Sequence, residues 1–135
     1  MRGAIAWAAL GFGVAAGPAA CGLAPCTEIG CVGGLEVAVA DAAGRPVPTF
    51  SGEARFEGRV VAFQCDPSLP GTAQVQCGSG SVRLLQAEGD VQLEVRAPGG
   101  GAFAGTLQPR YETSRPNGPL CEPVCRTATA QVALR

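Results

Sequence analysis

The chain has 135 residues and is near neutral: ten arginines face eleven acidic residues, and there is no lysine or histidine. Neutrality without a basic run excludes electrostatic capture of nucleic acid. The missing histidine and lysine remove Ser-His-Asp and Cys-His nucleophile pairs, Ser-Lys dyads and Schiff-base chemistry.

Met1 and Arg2 form a short positive region, and residues 3–17 are apolar and uncharged up to Pro18. That order is the pattern of a secretory signal peptide. A transmembrane helix needs about 20 predominantly apolar residues; this run is shorter and is interrupted by Gly11, Gly13 and Gly17. The expected organisation is a signal peptide over 1–20, a Cys-rich tether over 21–34 and one domain over 35–135. The junction Pro18-Ala19-Ala20-Cys21 resembles the lipobox of bacterial lipoproteins, where small residues precede a cysteine that takes a lipid. Ala19, Ala20 and Cys21 fit, whereas Pro18 stands where that family usually has an aliphatic residue. The resemblance implies a thioether-linked diacylglycerol on Cys21. It also implies, from Gly22, delivery to the outer membrane of a two-membrane bacterium or to the cell surface. The alternative is ordinary cleavage among residues 17–20, leaving Cys21 as a thiol on a periplasmic or secreted protein.

Beyond the tether, apolar residues alternate with polar ones, which is the period of a half-buried strand. The pattern predicts strands over 35–41 (Leu35, Val37, Val39 inward), 51–57 (Ala54, Phe56) and 59–65 (Val61, Phe63, Cys65). It continues over 74–77 (Val75, Cys77), 81–85 (Val82, Leu84) and 90–96 (Val91, Leu93, Val95). The last two are 102–108 (Phe103, Gly105, Leu107) and 127–134 (Ala128, Ala130, Val132, Leu134). One wet face and one dry face per strand indicate antiparallel sheets. Gly- and Pro-rich turns separate the strands, among them Glu57-Gly58, Pro70-Gly71 and Pro116-Asn117-Gly118-Pro119. The expected fold is an all-β, antiparallel, disulfide-stapled sandwich of about seven or eight strands.

The segment Val39-Ala40-Asp41-Ala42-Ala43-Gly44-Arg45-Pro46-Val47 resembles the first strand and turn of carboxypeptidase-regulatory or transthyretin-like domains. It implies an immunoglobulin-like or transthyretin-like sandwich with a turn in which Gly44 takes a positive φ and Pro46 sets the exit. The carboxy-terminal Pro116-Asn117-Gly118-Pro119-Leu120-Cys121-Glu122-Pro123-Val124-Cys125 is similar to the ends of small secreted lipoproteins of high-GC bacteria. That likeness brings no activity with it.

The seven cysteines are Cys21, Cys26, Cys31, Cys65, Cys77, Cys121 and Cys125. An odd count leaves one over, and a lipid on Cys21 leaves six for three disulfides. Zinc is the competing use. Cys121-x3-Cys125 has zinc-like spacing, but Cys26-x4-Cys31 does not and no histidine completes a set. Cys65 and Cys77 end successive strands and are expected to pair. The other four join either locally, Cys26 to Cys31 and Cys121 to Cys125, or across from the tether to the Pro-Asn-Gly-Pro loop.

Carboxylates are the remaining candidates for catalysis, and Glu53, Glu57, Glu94 and Glu112 fall on wet faces. Arg110-Tyr111-Glu112 is a candidate ligand contact. The expected function is therefore a membrane-tethered extracytoplasmic interaction or structural module that is no enzyme and takes no cofactor or metal. Its expected partners are the membrane, through the lipid, and an envelope protein or extracellular ligand. A carrier of a small apolar molecule or glycan is the alternative.

Overall fold

Nine strands follow the alternation in the computed structural model, which describes residues 26–69 and 71–135 and has no helix among them. The signal segment, Cys21 and Pro70 lie outside the described residues. The strands are β1 (Gly34–Ala40), β2 (Phe50–Phe56), β3 (Arg59–Cys65), β4 (Val75–Gly78), β5 (Ser81–Leu85), β6 (Val91–Arg96), β7 (Ala102–Leu107), β8 (Glu112–Ser114) and β9 (Cys125–Ala133). They form a five-stranded sheet, β4-β5-β1-β9-β8, and a four-stranded sheet, β3-β2-β6-β7.

The residues that share a face in sequence are those that meet in the core. Leu35, Val37, Val39, Val82, Leu84, Ala128 and Val132 of the larger sheet pack with Phe50, Ala54, Phe56, Val61, Phe63, Val91, Leu93 and Val95 of the smaller. Among the described residues only Phe50 and Phe63 pair as aromatics, meeting edge to face with centroids 6.3 Å apart. Val, Leu and Ala supply most of the rest, so close packing carries the burden that large rings carry elsewhere.

Two features depart from the sequence expectation. One strand beyond the expected eight, β8, has three exposed residues and no alternation, so nothing local announces it. The other is direction: β1 and β9 pair in parallel over Gly34–Ala40, while every other pair is antiparallel. A parallel neighbour needs a long crossover, and here the whole chain between the first and last strands supplies it. The parallel pair therefore starts at one pole of the molecule. Gly34 opens β1 there with φ +138°, and a Cβ at that position would collide with the Leu84 carbonyl.

Both sides of the sandwich are closed. On one, the Cys65–Cys77 disulfide ties β3 of the smaller sheet to β4 of the larger, with Cα atoms 5.4 Å apart. On the other, β9 crosses between sheets at its end. Leu134 donates its N–H to the Ala40 carbonyl (2.8 Å), and Arg135 exchanges two backbone bonds with Ala102 of β7 (3.0 and 3.1 Å).

The turn after β1 has the expected chemistry. Gly44 sits at φ +81°, and the Asp41 carboxylate accepts the Ala43 and Arg45 N–H groups at 2.9 Å each. The Arg45 guanidinium also reaches that carboxylate, at 2.8 Å. The bond from the Arg45 backbone N–H contributes most to holding the Asp41 carboxyl below its ordinary value, with the arginine side chain and the Ala43 N–H adding to it.

Two outcomes are expected. The double variant Cys65→Ala/Cys77→Ala should lose about 3 kcal/mol of unfolding free energy in urea, the chain-entropy value for a loop of this size. Asp41→Asn should be less stable than the parent at pH 7. Because the folded carboxyl titrates below the unfolded one, the Asp41 contribution is lost as pH falls from about 4 through the lower folded value. The two unfolding curves should converge there, whereas a constant gap down to pH 2 would argue against the charged turn.

Candidate functional site

The most constructed part of the surface is the pole where β1 and β9 begin. Residues 26–33 carry no regular structure, yet they are tied to the domain at several points. Cys26 bonds Cys121 and Cys31 bonds Cys125, with Cα separations of 5.7 and 6.1 Å. Of the two arrangements open in sequence, this is the crossed one. It follows from the parallel pair: Cys31 stands three residues before β1 and Cys125 opens β9, so parallel strands bring their leading ends together.

Asn117 is the hub between the two bridges and is the one buried polar side chain among the described residues, 7% exposed. Its Oδ1 accepts the Thr27 hydroxyl (2.9 Å) and the Ile29 N–H (2.7 Å), while Nδ2 donates to the Glu122 carbonyl (2.6 Å). One amide thus satisfies backbone groups on both crossed segments, a role that needs a donor and an acceptor on one side chain. The sequence marks Asn117 only as a turn residue; two of its three partners, Thr27 and Ile29, lie 90 and 88 positions away.

This pole also presents apolar side chains to solvent. Ile29 is 55% exposed, Val32 51% and Leu120 78%. All three neighbour a bridged cysteine or Asn117, so their exposure is held in place by covalent and hydrogen bonds.

The other candidates are scattered. Glu53 and Glu94 stand opposite each other on the outer face of the smaller sheet, where Arg55 pairs with Glu53 at 2.7 Å. Glu57 lies in the β2–β3 hairpin turn and pairs with Arg59 at 3.2 Å, while Glu112 belongs to β8 of the other sheet. They do not converge on one cleft. Tyr111 is half-buried against the core and donates its hydroxyl to the Gly89 carbonyl at 3.1 Å. Burial, followed by the nearby Glu88 charge, raises its pKa. Arg126 lies over its ring, 5.5 Å from the centroid. Tyr111 therefore anchors a loop, with Arg110 and Glu112 exposed beside it.

A hollow of about 450 Å³ on the outer surface near Arg55, Gly58, Asp90 and Thr106 is an open dish. Among the described residues no group of three Cys, Asp or Glu side chains is placed to hold a metal ion. No protein-family model, curated protein or solved structure matches the chain.

The six described cysteines are all consumed in three bridges. Such a domain matures in an oxidising, extracytoplasmic environment. Asn117→Ala should cost about 1–3 kcal/mol in urea unfolding, because it strands buried backbone partners on both segments. Faster hydrogen exchange should follow at the Ile29 amide, while the sheet amides away from the pole keep their rates.

Proposed function

We propose that this protein is a membrane-tethered extracytoplasmic module that binds a partner and catalyses nothing, anchored by a lipid on Cys21. The observation that carries this reading is the cysteine balance. Three disulfides use the six described cysteines, Cys26, Cys31, Cys65, Cys77, Cys121 and Cys125, and Cys21 is the seventh, left over from those pairs.

The geometry of the pole supports the same reading. Cys26 is five residues beyond Cys21 and is bridged to the domain. A group on Cys21 is thus connected to the sandwich by at most about 18 Å of extended chain. Two acyl chains hold a protein on a bilayer durably, at about 0.8 kcal/mol per buried methylene. With so short a lead, Ile29, Val32 and Leu120 stand at the end of the domain nearest the lipid, where apolar exposure is tolerated. Gly22 favours the outer membrane or cell surface as the destination. The β1 turn supports a likeness to carboxypeptidase-regulatory or transthyretin-like sandwiches. The partner is another envelope protein or an extracellular ligand.

Cys21→Ser tests the anchor. The parent should enter the detergent phase on Triton X-114 separation and the variant should stay in the aqueous phase. Intact mass of the parent should show a diacylglycerol adduct and no alkylatable thiol under denaturing conditions. Retention of the variant in membranes, or a free thiol at one of the six bridged positions, overturns the scheme.

A further inference from the structure

The four outer edges of the sandwich differ in how they are protected. β4 and β8 are short, with four and three residues. β3 has its carboxy-terminal end pinned by the Cys65–Cys77 bridge, and Arg59 stands at its start. β7 has none of these protections. Residues 97–109 contain no charge, β7 itself contains no proline, and its register with β6 runs unbroken from Arg96↔Ala102 to Val91↔Leu107. Natural edges usually carry a charge, a proline or a bulge against unplanned pairing.

The backbone of β7 shows which groups are available. In an antiparallel ladder a residue's N–H and C=O point to the same neighbour, and successive residues alternate sides. Ala102 gives both groups to Arg135 rather than to β6. Ala104 and Thr106 therefore also point away from β6, and no hydrogen bond to another described residue occupies that side of them. Both residues and the intervening Gly105 are exposed.

The order of side chains points to what fits there. Phe103-Ala104-Gly105-Thr106-Leu107 runs large apolar, small, glycine, small, large apolar, and so has the same size pattern in both directions. We infer that the β7 edge pairs with the β7 edge of a second copy, antiparallel, about a two-fold axis through Gly105. Ala104 then stands opposite Thr106 of the second copy, twice, and the two pairs make four N–H···O bonds. Phe103 stands opposite Leu107 of the second copy, twice. The two Gly105 residues meet on the axis as a non-hydrogen-bonded pair, the closest kind, with Cα atoms about 4.5 Å apart.

Glycine suits that place for a second reason. Phe103 leans over Gly105, its Cζ 3.0 Å from where a Cβ would stand, so the two rings approach each other across the axis. The absence of charge over residues 97–109 removes the like-charge penalty that self-pairing normally meets. Pairing stops where the strand does: Arg135 occupies the rim at Ala102, and β7 ends at Leu107. Two four-stranded sheets thus become one continuous sheet, through an isologous interface of the small, transient class. The inference rests on the interaction-module reading and adds a second copy of the chain to its partners. Confinement of two copies to one membrane raises their effective concentration for it.

Sedimentation velocity of the exported chain carrying Cys21→Ser, over roughly 1–500 μM, tests the pairing without a lipid contribution. A reversible monomer–dimer equilibrium is expected. Ala104→Lys/Thr106→Lys places lysine opposite lysine in both pairs and should weaken dimerisation at least about ten-fold. Thr106→Pro removes an N–H that the fold does not use and should weaken it as well. Hydrogen exchange at the Ala104 and Thr106 amides should slow as concentration rises. A monomer throughout, or a dimer that both variants leave unchanged, overturns the inference. Either result leaves the Cys21 anchor standing, because its phase-separation test is independent.

Discussion

The parallel pairing of β1 with β9 is the constraint on which the rest of this structure depends. It places the first and last strands side by side at the centre of the larger sheet and makes both begin at one pole. Cys31 and Cys125 come within bonding distance only because of that shared start, and Cys26 and Cys121 follow in the same direction. A single bridge spanning 94 or 95 positions constrains the unfolded chain strongly, by close to 4.7 kcal/mol for a loop of about 100 residues. Once one is made, the other closes only a small ring and adds less. Doubling the bridge therefore does more to define the pole's shape than to raise global stability.

The amino-terminal segment is consequently less of a tether than its composition suggests. From Cys26 onward it belongs to the domain, held by two disulfides and the Asn117 amide. With the proposed lipid on Cys21, a domain on so short a lead would keep one pole toward the membrane and present its flanks to neighbours. In that proposed arrangement the β7 rim is one of the flanks, suited to lateral contacts between anchored copies.

The modest core fits this plan. Valine, leucine and alanine fill it, with two phenylalanines in edge-to-face contact. Such a core buries little area for each residue, so the cross-links matter more than they would in a larger domain. The two sides of the sandwich are closed by different means: a disulfide between β3 and β4, and backbone bonds that carry the end of β9 over to β7. That second closure stops at Ala102, which is why the remainder of the β7 rim stays open.

By itself the sequence determined the strands and their faces. The alternation of Val91, Leu93 and Val95 with Gln92, Glu94 and Arg96 is a local property, and burial simply follows it. The Asp41 turn was equally legible, because its bonds close within a few residues. Cysteine parity pointed to three bridges, and the strand ends pointed to Cys65 and Cys77. What only the tertiary structure decided is non-local: the parallel direction of β9 beside β1, the crossed pairing of the other four cysteines, and the three-residue β8. Asn117 as the hub of the pole and the exposed rim of β7 belong with these. The physical reason is the same in each case. Period and turn chemistry act over a few residues, whereas a neighbour across a sheet is chosen by how the whole chain closes, some 90 positions away for the contacts that define the pole.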